Sequence, residues 1–228
     1  MLGWGDFGRG SLLLLLPTAC AGCGAVVATG VALCTKCRPA LLPDAAPAAP
    51  APLAGWAAGV PYEGAWADWI RRFKYPRTGL AGLSPGAEAV VRWMILAAAA
   101  RAPGPPPDLL VPIPQHPRRL RARGFSPAAR LARILARQWR VAFAPLALER
   151  VRDTPSQTGL GRSARERNVA GAFRVTPGAV HAPLAGRIWL VDDVVTTGST
   201  LVSAARALRQ AGAGPVLGIC AARRGPPR

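Results

Sequence analysis

Lysine is nearly absent from this 228-residue chain: Lys36 and Lys74 are the two it has. Acidic residues are scarce as well, 11 Asp and Glu against 29 Lys and Arg, for a formal net charge of +18. The positive charge is therefore almost all arginine, in a chain that also carries 25 Gly and 24 Pro. So lopsided a balance favours anionic partners, whether nucleotides, nucleic acid or a membrane surface. A compositional bias toward Arg, Ala, Gly and Pro supplies part of the same pattern, so charge alone does not choose among them. Long apolar runs are missing too. No stretch reaches the ~18–20 apolar residues of a membrane span. Val90 to Ala100 is interrupted by Arg92 and stopped by Arg101. Ser11 to Pro17 holds five leucines ahead of Thr18-Ala19-Cys20, which mimics a short signal peptide with a lipid-modified cysteine. The run is at the short end for such a segment, and only Arg9 precedes it. The expectation is a soluble, cytoplasmic protein in which Leu12 to Leu16 form a short apolar helix. No internal repeat stands out.

Half of the residues are hydrophobic, enough for a sizeable core, and the length suits one domain with a small appendage. Residues 1–42 read as a leader and a cysteine module. Residues 43–55 are Ala/Pro-rich without helical or strand period and read as a semi-stiff linker. Residues 56–228 read as the main domain, with strands and helices alternating in the α/β manner. Trp66, Ile70 and Phe73, with Trp69 beside them, predict a helix over 65–73. A second helix is expected over 87–100 and a short apolar strand over 108–113. Ser126-Pro127 supplies an N-cap and a first-turn proline. Leu131, Ile134, Leu135 and Gln138 then carry a helix to about Trp139. Ile188 to Val191 is a continuous apolar run, as in a strand buried on both faces. Thr200 to Gln210 predicts a helix closed near Gly212, and Val216 to Ala221 the next strand. Such a strand–helix–strand unit implies a right-handed parallel crossover.

Asp192-Asp193-Val194-Val195-Thr196-Thr197-Gly198-Ser199-Thr200 joins that strand to that helix. At a helix start several backbone N–H groups lack partners and the dipole is positive, so an anion is welcome. Gly198 lets the backbone approach it, and Thr196, Thr197, Ser199 and Thr200 add hydroxyl donors. Two carboxylates beside a phosphate would repel it unless they take hydroxyls or a divalent cation, which suits ribose and Mg²⁺. The competing reading is an N-capped helix with two aspartates as polar punctuation. The string resembles the 5-phosphoribosyl-1-pyrophosphate (PRPP) signature of type I phosphoribosyltransferases. That resemblance implies that Asp192 and Asp193 hold the ribose 2′- and 3′-hydroxyls, directly or through metal, and that Thr196 to Thr200 cradle the 5′-phosphate. In 6-oxopurine salvage enzymes the position of Thr196 is usually an aspartate, so Thr196 argues against that substrate class.

Arg118, Arg119, Arg121 and Arg123 fall within six residues after a predicted strand, a dense anion site or a solvated charge run. Arg150 to Phe173 is a second arginine-bearing segment, with Arg150, Arg152, Arg162, Arg165 and Arg167, and reads as a lid, a binding loop or a disordered stretch. Three strings together resemble the ComF family: Ile70-Arg71-Arg72-Phe73-Lys74-Tyr75; Pro112-Ile113-Pro114 with Arg118-Arg119-Leu120-Arg121-Ala122-Arg123-Gly124-Phe125; and Arg152, Thr154, Gln157, Leu160, Arg165, Asn168 and Phe173 at their spacings. The chain departs from the family's usual residues at Gln115 and at Ser126-Pro127. The resemblance implies a type I phosphoribosyltransferase-like parallel sheet flanked by helices, behind a small N-terminal zinc module. It further implies a link to DNA uptake in natural transformation. Lys74 joins the candidate substrate-binding residues, and the arginines of 118–123 are candidates to stabilise departing pyrophosphate. No side chain stands out as a general base. The rival reading is a non-catalytic nucleotide sensor, or a partner of single-stranded DNA or of uptake proteins.

Cys20-Ala21-Gly22-Cys23 and Cys34-Thr35-Lys36-Cys37 are paired CxxC knuckles ten residues apart. Four thiolates so spaced suit a tetrahedral structural Zn²⁺. Disulfides or an iron–sulfur cluster are the alternatives, and a cytosolic setting argues against disulfides. Cys220, in a predicted strand, reads as a buried apolar thiol.

Overall fold

The computed structural model describes residues 18–21, 23–28, 32–38, 49–75, 85–152, 171–178 and 184–225. The leader helix expected at Leu12 to Leu16, and Arg162, Arg165 and Arg167 of the second arginine segment, lie outside the described residues. So do Thr154, Gln157, Leu160 and Asn168.

Five parallel strands form one sheet in the order β3-β9-β8-β4-β5: β3 (Gly55–Pro61), β4 (Leu109–Pro112), β5 (Ala142–Phe143), β8 (Ile188–Val195) and β9 (Val216–Arg223). Helices flank it: α1 (Gly64–Lys74), α2 (Pro85–Ala99), α3 (Pro117–Arg123), α4 (Pro127–Trp139) and α5 (Ser199–Gln210). Two hairpins stand apart, β1 (Thr18–Ala19) with β2 (Val26–Val27) and β6 (Leu148–Arg150) with β7 (Phe173–Val175). Strand alternation splits the core in two. Leu110, Trp189 and Val191 pack with Ile70 and Phe73 of α1, Met94 of α2 and Leu131 of α4. Leu109, Val111, Ile188 and Leu190 pack with Leu201 and Leu208 of α5. An α/β sheet covered on both faces is what the apolar run at Ile188 requires.

The helices arise where the spacing places them, with adjustments. Ser126 caps α4, its Oγ accepting from the Ala129 N–H at 3.2 Å, with Pro127 in the first turn. Ser126-Pro127 is thus a helix start. Alanine widens the buried stripe of α4: Ala128, Ala132 and Ala136 are buried beside Leu131 and Leu135, while Gln138 is exposed. In α1 the same holds, with Ala67, Ile70 and Phe73 buried and Trp66 and Trp69 half-buried. Gly59 of β3 permits close packing on α2, since an added Cβ would collide with the Met94 carbonyl oxygen. The predicted strand over 188–191 runs four residues further, because β9 continues alongside and pairs Asp192 with Cys220, Val194 with Ala222 and Val195 with Arg223. The arginine segment at 117–123 is a helix rather than a loop. His116 Nδ1 accepts from the Arg118 N–H, and Gly124 closes it at φ +80°. Among the described residues no helix is long and apolar enough to cross a membrane.

Candidate functional site

Strand β4 ends opposite Val191, and beyond that point β8 continues beside β9. From β4 the chain passes through α4 to β5 on one side. From β8 it passes through α5 to β9 on the other. The strand order therefore reverses between β4 and β8. In open parallel sheets the crevice at the carboxyl ends of such strands is where ligands bind. A cleft of about 370 Å³ opens there.

Its floor is Asp192 to Thr196, followed by Gly198, Ser199 and Thr200 at the start of α5. The N-cap of α5 is Gly198, at φ +80°, which has no side chain to cap with, and Thr197 Oγ1 accepts from the Ser199 N–H at 3.4 Å. The helix's positive end and first-turn amides face the cleft. Thr197 is not part of the lining. Its hydroxyl donates to Ser199 Oγ at 3.1 Å and stiffens the turn. One wall is the end of α1, with Arg71, Lys74 and Tyr75. The opposite wall is Ile113, Pro114 and Gln115 followed by Arg119 and Arg123 of α3. Arg119 and Arg123 are four apart and share a helix face. Arg118 and Arg121 are exposed and lie outside the lining. Arg123 donates to the Tyr75 hydroxyl at 2.8 Å and lies over the same ring, which ties α3 to α1 across the cleft mouth.

Lys74 reaches Asp193, Nζ to Oδ1 at 2.7 Å. Burial opposes the Lys74 charge, but Asp193, with Asp192 adding to it, more than offsets this and holds the lysine above its ordinary value. Asp192 is pushed up to about 7, first by burial and then by the neighbouring Asp193 charge, with Lys74 pulling the other way. Burial, and then the same two carboxylates, hold the Cys220 thiol well above its ordinary value, in keeping with an inert core residue. The sequence thus places Asp192, Asp193, Thr196, Gly198, Ser199, Thr200, Lys74, Arg119 and Arg123 around one cavity. It did not single out Tyr62 or Arg224, which complete the rim with Arg150, the first residue of the second arginine segment. Tyr62 and Arg224 directly follow β3 and β9, and Arg224 stacks on Tyr62 at 4.9 Å. The position just past a parallel strand is the signal that could have found them.

The four module cysteines form a second site. The Sγ atoms of Cys20, Cys23, Cys34 and Cys37 all lie within 4.8 Å of one another, and none is in a disulfide. A tetrahedron with ~2.3 Å metal–sulfur bonds has edges of about 3.8 Å; Cys23 and Cys34 stand at 3.7 Å. The knuckles are built by backbone bonds, Gly24 N–H to Cys20 O and Arg38 N–H to Cys34 O, both at 2.9 Å. The Cys34 N–H donates to Cys20 Sγ at 3.3 Å, the orienting bond a metal-bound thiolate needs. Hydrogen bonds from Cys23 and Cys34, with burial, push the Cys37 thiol up to about 12. The donor set therefore fits a metal such as zinc. Cys20 and Leu33 are buried in the same apolar cluster as Ile70 and Val90, so the knuckles pack on the main sheet's helices.

No protein-family model matches the chain. It is 38% identical over 127 residues to the DNA utilization protein YhgH of Salmonella typhi, covering 55% of this chain and 54% of that one. It is 37% identical over 118 residues to the protein of the same name in Escherichia coli strain K12, covering 51% and 50%. To Competence protein F of Haemophilus influenzae it is 34% identical over 106 residues, 46% of each chain. The chain thus spans about half the length of the curated relatives it matches.

Proposed function

These homologues support a ComF-family, competence-associated protein, and on that premise we propose that the cleft binds PRPP or a related ribose 5-phosphate. The observation that carries this is one juxtaposition. A helix start with a glycine N-cap, lined by Gly198, Ser199 and Thr200, shares a single cleft with Asp192, at the point where the sheet order reverses. A phosphate suits the first element and a ribose diol the second. Arg119 and Arg123 stand across the cleft, where a pyrophosphate on C1 would extend, and guanidinium forks match its oxygens. Mg²⁺ would accompany such a ligand on its phosphates.

The reaction this arrangement supports is transfer of the phosphoribosyl group to a nitrogen acceptor. The nitrogen lone pair bonds to C1, the C1–oxygen bond breaks, and its electron pair leaves on pyrophosphate. The chain's contribution is position and charge: arginines receive the developing pyrophosphate charge and the α5 turn anchors the phosphate. Cys20, Cys23, Cys34 and Cys37 would hold a structural zinc, which would fix the knuckles where they pack on the domain. The relatives' names carry the words DNA utilization and competence. Arg118 and Arg121 of α3 are exposed and do not line the cleft. A second reading, nucleotide sensing or single-stranded DNA binding without turnover, draws on these two observations.

Calorimetric titration with ribose 5-phosphate tests the reading. The parent should bind it. Gly198→Val should weaken it by tenfold or more (about 1.4 kcal/mol per tenfold), because φ +80° is forbidden to a β-branched residue. A parent that binds neither ribose 5-phosphate nor PRPP, or a variant that binds as the parent does, leaves the turn as no more than a helix start.

A further inference from the structure

Asp192 and Asp193 are neighbours in β8, and neighbouring strand residues face opposite sides of a sheet. The core shows the alternation: Trp189 and Val191 pack toward α1, α2 and α4, Ile188 and Leu190 toward α5. That alternation runs only to Val191: past the aspartates Val194 packs with the α1 cluster and Val195 with the α5 cluster. Contacts, not parity, therefore tell the two carboxylates apart. Lys74, the last residue of α1, holds Asp193 at 2.7 Å, with the two side chains 20% and 11% exposed. Asp192 turns its Oδ1 to accept the Asp193 N–H at 2.8 Å and remains partly exposed to the cleft. The two carboxylates that look equivalent in the sequence are therefore not equivalent in space.

An ammonium–carboxylate pair this enclosed is costly to break, since either partner left alone is an uncompensated charge away from water. A divalent cation seeks several anionic oxygens at once. Here it would find one carboxylate already neutralised, with a fixed positive charge 2.7 Å from it. The pair therefore does not fit a resident Mg²⁺. Building on the reading of the cleft as a ribose-phosphate site, we propose that Lys74 is the site's built-in cation: it fixes Asp193 as a counter-ion, leaves Asp192 as the carboxylate that meets the ribose hydroxyls, and frees recognition of the sugar from any divalent metal at the carboxylates. Mg²⁺ arriving with PRPP then rides on the ligand's own oxygens.

The full chain, with its cysteine module intact, is titrated with ribose 5-phosphate in EDTA and in Mg²⁺, and separately with Mn²⁺ alone. The parent should bind ribose 5-phosphate to within about twofold with or without metal, and Mn²⁺ should not bind at the cleft. Lys74→Met exposes two uncompensated carboxylates. It should lose tenfold or more of its sugar-phosphate affinity in EDTA, regain most of it in Mg²⁺, and acquire a Mn²⁺ site that Asp192→Asn abolishes (about 1.4 kcal/mol per tenfold). Should Lys74→Met fold poorly, the charge-balanced pair Lys74→Met with Asp193→Asn serves instead. It should bind ribose 5-phosphate without metal and take no Mn²⁺. A parent that needs Mg²⁺ for the sugar phosphate, or that binds Mn²⁺ at the cleft with Lys74 in place, overturns the proposal. So does a loss in Lys74→Met that Mg²⁺ fails to repair. If the parent binds no ribose 5-phosphate under any condition, the ribose-phosphate reading fails. The Mn²⁺ titrations then still decide whether Lys74 takes the place of a metal.

Discussion

Asp192 holds its charge at a cost. Burial and the neighbouring Asp193 push it up to about 7, against about 3.9 for an aspartate in an unfolded chain. Between about pH 4 and pH 7 the folded state therefore keeps a proton that the unfolded state has lost. Stability from this group is fully present below the unfolded value and drains away as pH rises toward 7, by up to about 1.4 kcal/mol per pH unit. Asp192→Asn removes the titration and keeps the shape. Urea melts at pH 5 and pH 8 should show the variant gaining on the parent as pH rises. An equal margin at both pH values would mean that Asp192 carries no such burden. A carboxylate kept where it destabilises the fold is a mark of a binding position. Lys74 answers the charge of the neighbouring Asp193 directly.

Elements differ in how plainly the sequence announces them. Helices α1, α4 and α5 have an apolar stripe at helical spacing, and α4 carries a Ser-Pro start, so each was legible to within a few residues. Helix α3 was not, because it buries no residue and so leaves no apolar period to read; a cap at His116 and a left-handed Gly124 make it. The last four residues of β8 read as a turn because aspartates punctuate them, yet β9 extends far enough to pair them. Strands β5, β6 and β7, of two or three residues each, are too short to show alternation. Within the cleft, the turn of Thr196, Thr197 and Gly198 and both aspartates were legible as a string. The Lys74–Asp193 pair and the Tyr62–Arg224 stack exist only after folding, since each joins distant parts of the chain. The cysteine module was the most legible of all, because CxxC spacing is itself the geometry. One zinc per chain is expected in the purified protein, lost with Cys20→Ser or Cys34→Ser. Zinc-finger peptides draw about 10–16 kcal/mol from such a site. Because Cys20, Val27 and Leu33 share the core cluster of α1 and α2, losing the metal should expose the cysteine module to protease before the sheet unfolds. Metal analysis that finds no zinc, or a disulfide among these cysteines, contradicts the assignment.

At the scale of the whole molecule the question is where a net charge of +18 is spent. Part of it lines the cleft: Arg71, Lys74, Arg119, Arg123, Arg150 and Arg224 face Asp192 and Asp193 there. That excess suits a ligand with several negative charges, such as a sugar carrying more than one phosphate. Helix α3 divides the remainder. Its Arg119 and Arg123 turn inward, while Arg118 and Arg121 stay exposed and off the cleft. If single-stranded DNA is held on the outer face, each phosphate contact adds about 0.7 to the slope of log affinity against log salt. Arg118→Ala with Arg121→Ala should then flatten that slope by about 1.4 and leave ribose 5-phosphate binding unchanged. Arg119→Ala with Arg123→Ala should weaken PRPP most, because pyrophosphate oxygens lose their guanidinium forks, and should disturb the tie from Arg123 to Tyr75. Fluorescence anisotropy with a labelled oligonucleotide over a salt series, beside calorimetry with the two small ligands, separates the faces. A slope that the outer pair does not change shows that α3 presents no nucleic-acid surface. If the outer pair weakens PRPP as much as the inner pair does, the four arginines act as one diffuse field, and the division drawn from the helix geometry is wrong.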